Sequence, residues 1–171
     1  MTTARPQERS ASQEANELAT DTVVVHLHAG QFFASSQPCT ISTVLGSCVA
    51  VCLFDPVRRS GGANHYLLPL HVVGGSASAR FGNVAIEELV KEMLQHGSLK
   101  RDLQAKVFGG SCTMGNGVRP ERESLGWQNV EVARRALTGH AIPIVAEDVG
   151  GPRGRKLLFR TDEGHAWVRK L

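Results

Sequence analysis

Cys48 stands at the head of an apolar run, Val49-Ala50-Val51-Cys52-Leu53-Phe54, directly after the small residues Gly46 and Ser47. A thiol presented at the mouth of a strand is a potential nucleophile for a carbonyl carbon. The backbone N–H groups near Ser47 and Cys48 could receive the oxyanion that such an attack creates, and Gly46 would ease the approach through its freedom of backbone conformation. Free cysteine is also among the most buried residue types, and the thiol alone favours that plainer role. Cys52, in mid-strand without polar neighbours, fits the plainer role better than Cys48.

A nucleophilic thiol needs a base. His65 lies 17 residues downstream, on the return arm of what reads as a hairpin: Asp55-Pro56 and Arg58-Arg59-Ser60-Gly61-Gly62 carry turn chemistry between strand-like runs at 48–54 and 63–68. A turn centred between Val57 and Arg58 sets His65 diagonally near Cys48 or opposite it on the same face, where diagonal Cβ atoms are about 7–8 Å apart. A slip of one residue would send the two side chains to opposite faces. The hydroxyls of Ser42 and Thr43, both near in sequence, are the candidates for a third group that orients the imidazole.

Other constellations carry less. His26 and His28 share a strand face, but no carboxylate or cysteine accompanies them at ligand spacing, so no metal site is expected. Gly109-Gly110-Ser111 and Gly115-Asn116-Gly117 lack the Gly-Lys-Ser/Thr that completes a phosphate loop. The basic stretch Gly150-Gly151-Pro152-Arg153-Gly154-Arg155-Lys156 reads as a solvated turn, and Cys48-x-x-x-Cys52 departs from the Cys-x-x-Cys redox pattern.

The elements that must position these residues are read from the rest of the chain. With 171 residues, 42% hydrophobic and 20% charged, it suits one globular domain, and its four cysteines read as free thiols because a core of this size needs no disulfide staples. A net charge of +3 is too small to argue for a nucleic-acid or membrane surface. The longest apolar stretch, 43–54, is too short to span a bilayer, and the N-terminus has no apolar signal region, so a cytoplasmic setting is expected. Residues 1–21, without Val, Ile, Phe, Trp or Tyr, predict a disordered tail, with a single domain over 22–171.

Strands are expected at 23–28, 48–54, 63–68, 105–108, 142–146, 157–160 and 166–168, the last two joined by the turn Thr161-Asp162-Glu163-Gly164. Residues 41–48 read as a small, flexible turn. Helices are expected at 83–94, with Asn83 as N-cap and Gly97 as C′ residue, and at 127–137, stopped by Gly139. Seven strands with two helices point to an α+β or layered α/β domain.

The order of these segments resembles the CheD family of chemoreceptor glutamine deamidases. The resemblance rests on Leu45-Gly46-Ser47-Cys48 through Asp55, then Gly61-Gly62-Ala63-Asn64-His65-Tyr66-Leu67-Leu68-Pro69 and Arg80-Phe81-Gly82-Asn83. It continues through Ala105-Lys106-Val107-Phe108-Gly109-Gly110-Ser111, Leu125-Gly126 with Asn129, and Ala146-Glu147-Asp148-Val149-Gly150-Gly151. It implies a layered sandwich of β-sheet and two helices, similar to the catalytic domain of cytotoxic necrotizing factors. It also implies a cysteine amidohydrolase that turns particular glutamines of chemotaxis receptors into glutamates, without metal or organic cofactor. Cys48 matches the family nucleophile and His65 the base. The family's threonine six positions before the cysteine falls on Ser42, with Thr43 one residue later. Implied partners are the receptor's cytoplasmic helices and, in some members, a CheC-type phosphatase. The alternative of another class is a module that binds receptors or the phosphatase without catalysis.

Overall fold

An uninterrupted apolar run bounded by turn residues is the pattern of a strand covered on both sides, and the run from Val49 to Asp55 occupies that place. The computed structural model describes residues 23–71, 74–112 and 123–171. The predicted tail and the glycines at 115–117 lie outside them. In chain order the elements are β1 (Val24–His26), β2 (Gln31–Ser35), β3 (Thr40–Leu45), β4 (Val49–Asp55), β5 (Ser60–His65) and α1 (Gly82–Gln95). After a 3-10 turn (Lys100–Asp102) come β6 (Gln104–Gly109), α2 (Leu125–Gly139), β7 (Ile144–Val149), β8 (Arg155–Arg160) and β9 (Ala166–Lys170).

The strands form two sheets, one of order β1-β3-β8-β9 and one of order β2-β5-β4-β6-β7. Alternation along β4 feeds two cores. Val49, Val51 and Leu53 pack under the helices with Ile86, Leu89, Met93, Val130 and Leu137. Ala50 and Cys52, with Ala63 of β5, meet Ile41, Leu45, Leu157 and Phe159 of the other sheet. The result is a three-layer α+β sandwich, helices on one sheet and that sheet on the second, as the resemblance implied. Among the described residues no helix is long and apolar enough to cross a membrane.

Four expectations are corrected. Residues 40–45 are a strand, not a flexible turn: Ile41, Thr43 and Leu45 alternate toward the inter-sheet core while polar Thr40 and Ser42 dilute the apolar signal. Ser60, Gly61 and Gly62 belong to β5 rather than to the turn, pairing with Asp55, Phe54 and Leu53 of β4, and a Cβ on Gly61 would lie 2.8 Å from the Thr161 carbonyl oxygen. The glycine serves a close backbone approach there. The N-cap of α1 is Phe81; Asn83 sits inside the helix, its Oδ1 accepting from the His71 N–H. The strand expected at 142–146 runs Ile144–Val149. Gly97, with φ 91°, does take the left-handed C′ position.

The register of the β4–β5 hairpin decides which side chains share a face. Asp55 Oδ1 accepts from the N–H groups of Val57 (2.9 Å) and Arg58 (3.0 Å), closing a four-residue loop between Asp55 and Ser60. This Asx-type turn pairs Cys52 with Ala63, and the same register reappears at Val49 and Tyr66.

Candidate active site

That register puts the side chain of His65 opposite Ala50 and diagonal to Cys48, all on the face turned toward the second sheet. Cys48 precedes β4 and packs against the edge of the inter-sheet core, half-buried; His65 is 6% exposed. Thiol and imidazole thus share a face at the end of the hairpin ladder.

The third group comes from across the sandwich. Thr43 of β3 brings its Oγ1 to 2.8 Å from His65 Nδ1 and donates its hydroxyl proton to the Leu27 carbonyl, also at 2.8 Å. A hydroxyl has one proton to give, and a carbonyl can only accept. The proton belongs to Leu27, so Thr43 accepts from His65 Nδ1–H. This fixes the tautomer and leaves the lone pair on Nε2, which is buried and has no partner among the described residues. Ser42, next in the chain, sits on the opposite face of β3 by strand alternation and pairs through its backbone with β1 and β8. Of the two hydroxyls left open by the sequence, Thr43 meets the imidazole and Ser42 does not.

Burial pushes the Cys48 thiol above its ordinary value, partly offset by its own backbone N–H, which favours the thiolate. Burial likewise lowers His65; the Leu27 backbone works against that shift and the nearby His28 adds to it. Both shifts favour a neutral thiol beside a neutral imidazole over a preformed ion pair.

The turn that leads into Cys48 is held by its carbonyls. Gly46 C=O accepts from the Ser111 N–H (2.9 Å), Cys48 C=O from the Gly110 N–H (2.8 Å), and Ser47 C=O from Asn129 Nδ2 (2.9 Å). The N–H groups of Ser47 and Cys48 meet no other acceptor among the described residues. Gly46 does not use the left-handed backbone region, and a Cβ there would meet open space. The expected conformational need falls instead on Gly109 (φ 105°), where a Cβ would lie 2.2 Å from the Cys48 carbonyl oxygen.

Two contributors were given no role by the sequence, although Asn129 was among the residues carrying the resemblance. The Leu27 carbonyl is backbone and leaves no residue-type signal. Asn129 does leave one: it lies on the buried stripe of α2 with Gly126, Val130, Ala133 and Leu137, where a fully buried amide demands partners.

Fold and site together define a two-sheet α+β sandwich carrying a thiol–imidazole–hydroxyl constellation. The family profile "CheD chemotactic sensory transduction" matches residues 67–170. A protein of Anaeromyxobacter dehalogenans named "Probable chemoreceptor glutamine deamidase CheD 1" is 53% identical over 86% of this chain and 84% of that one. Proteins named "Probable chemoreceptor glutamine deamidase CheD" from Sulfurimonas denitrificans and Stenotrophomonas maltophilia are 41% and 40% identical, over 84% and 88% of this chain and 92% and 74% of theirs. The chain belongs to the CheD family. Among solved structures, a Bacillus licheniformis hypothetical protein, YfiH, is similar at 15% identity with a TM-score of 0.49, over 79% of this chain and 66% of that one.

Proposed function

We propose that this protein deamidates glutamine side chains of chemoreceptors, with Cys48 as nucleophile, His65 as general base and Thr43 as the residue that orients it. The names of its relatives support the substrate. The observation that carries the chemistry is the Thr43–His65 bond: Thr43 accepts from Nδ1–H, which leaves the lone pair on Nε2, on the face that Cys48 shares.

The steps use these positions in turn. His65 Nε2 takes the thiol proton as Cys48 Sγ bonds to the carboxamide carbon, and the negative charge passes to the amide oxygen. The N–H groups of Ser47 and Cys48 stabilise that oxyanion. The imidazolium then protonates the amide nitrogen, the C–N bond breaks and ammonia leaves. A thioester remains on Cys48. Water, losing a proton to Nε2, attacks the thioester; the thiol is reprotonated and glutamate departs. Because Cys48 is raised and His65 lowered, proton transfer accompanies attack rather than preceding it. Each turnover adds one negative charge to a receptor helix, a local change able to bias a two-state signalling element. The setting is the cytoplasm, against the receptor's cytoplasmic helices, with a CheC-type phosphatase as a further partner.

The test is incubation of a purified receptor cytoplasmic fragment with the protein, followed by mass spectrometry of its glutamine peptides and measurement of ammonia. Conversion of amide to acid with matching ammonia release is expected from the wild-type chain. Binding without either product would overturn the reading in favour of a docking module.

A further inference from the structure

The antiparallel ladder between β4 and β5 ends at Val49 and Tyr66, where both N–H···O bonds form at 3.1 and 3.0 Å. In the same register the next such rung would pair Ser47 with Leu68. It does not form: the Leu68 N–H turns to the Arg80 carbonyl (3.0 Å), and the chains part just where the thiol emerges. One side chain from another layer fills the gap. Asn129 Nδ2 gives one proton to Ser47 C=O and the other to Leu67 C=O, each at 2.9 Å. Both partners are carbonyls, so the amide has only one satisfactory orientation.

Asn129 is 0% exposed, and Tyr66 Oη donates to its backbone carbonyl at 2.6 Å, tying α2 to the base strand. Its Oδ1 is buried without a partner among the described residues. A buried, half-satisfied amide is costly, and an apolar residue would avoid the cost. What the amide secures in return is its hold on two carbonyls.

Ser47 C=O and the Cys48 N–H are opposite ends of one planar trans peptide. Drawing the oxygen toward α2 aims the N–H the other way, to the side where the Cys48 sulfur lies. The same N–H already favours the Cys48 thiolate, which places it beside the reacting atom. We infer that Asn129 is a positioning residue: it sets the Ser47–Cys48 peptide so that the Cys48 N–H meets the oxyanion, and it ties that peptide to the strand bearing His65. This inference rests on the thiol mechanism proposed above and adds to it a residue that never touches substrate.

The experiment compares Asn129→Leu, close to asparagine in shape but without donors, with Cys48→Ala and the wild-type chain. Two rates are read: deamidation of a receptor fragment, and alkylation of Cys48 by iodoacetamide, followed on its own peptide by mass spectrometry. Alkylation is a displacement at saturated carbon and develops no oxyanion. In Asn129→Leu, kcat is expected to fall by about 10²-fold, the scale of a lost oxyanion donor, with KM little changed and alkylation within a few-fold of wild type. Deamidation at the wild-type rate would overturn the inference, and so would an equal fall in both rates, which would make Asn129 a general support of the thiol. If Asn129→Leu does not fold, Asn129→Asp, which keeps the shape and loses the donors, is judged by the same two rates. Activity surviving in Cys48→Ala would instead sink the thiol mechanism itself, whatever Asn129 does.

Discussion

Cys48, just before β4, and Cys52, within it, lie four residues apart and face the same core, yet their surroundings differ. Cys52 sits where the hairpin ladder is intact, opposite Ala63 on one side and Lys106 on the other, and is 1% exposed. Burial drives its thiol far above the ordinary range, only partly relieved by the Lys106 charge, so it is an inert hydrophobe. Cys48 sits where the ladder has opened, half-buried, with an imidazole diagonal to it and the N–H groups of Ser47 and Cys48 meeting no other acceptor among the described residues. The proposed nucleophile thus lies just beyond the end of the hairpin ladder, and the buried thiol lies within it.

The largest effect is expected from Cys48→Ala and His65→Ala, each lowering kcat by about 10³-fold or more, as in other nucleophile–base pairs, while circular dichroism shows a native fold. Next comes Thr43→Val, which removes the acceptor for Nδ1–H and frees the tautomer; kcat should fall by about 10²-fold, and Thr43→Ser should restore most of it. Equal losses in Thr43→Val and Ser42→Ala would contradict the separation of the two hydroxyls across β3.

The pH dependence is smaller in scale but tests the same site. His65 must be neutral to act, and burial lowers its folded value below the usual 6.5, so kcat/KM should hold through that pH and decline only beneath it. The linked stability has the same sign: the unfolded chain binds this proton more readily, so stability present above 6.5 is lost as pH falls toward the folded value. An acid limb at or above the ordinary histidine value would contradict the buried, neutral base. The smallest catalytic effect belongs to Cys52→Ala: kcat within about twofold, with about 1 kcal/mol lost from unfolding free energy in a denaturant titration, as for a modest core truncation.

Legibility in the sequence tracked the range of the interaction that decides each feature. The hairpin was readable because Asp55, Pro56 and the residues after them carry local turn chemistry, and one register puts His65 on the face of Cys48. The helices were readable from apolar spacing around Ile86, Leu89 and Met93 and around Val130, Ala133 and Leu137. The choice between Ser42 and Thr43 was not, because it depends on β3 facing β5 across the sandwich, a contact 22 residues apart that no local pattern announces. The Leu27 carbonyl and the clamp from Asn129 to Ser47, 82 residues apart, are of the same kind. Gly46 misled for another reason: glycine signals either unusual backbone angles or absent bulk, and here the space above it, not its φ, distinguishes it.

In the proposed mechanism the sulfur of Cys48 carries the acyl group. Acid-quenching the reaction with a receptor fragment during turnover, then mapping thioester adducts by mass spectrometry, tests it most directly. The account predicts a glutamyl adduct on the Cys48 peptide alone, absent in Cys48→Ala. An adduct on Cys52 or Cys112, or deamidation continuing in Cys48→Ala, would contradict it.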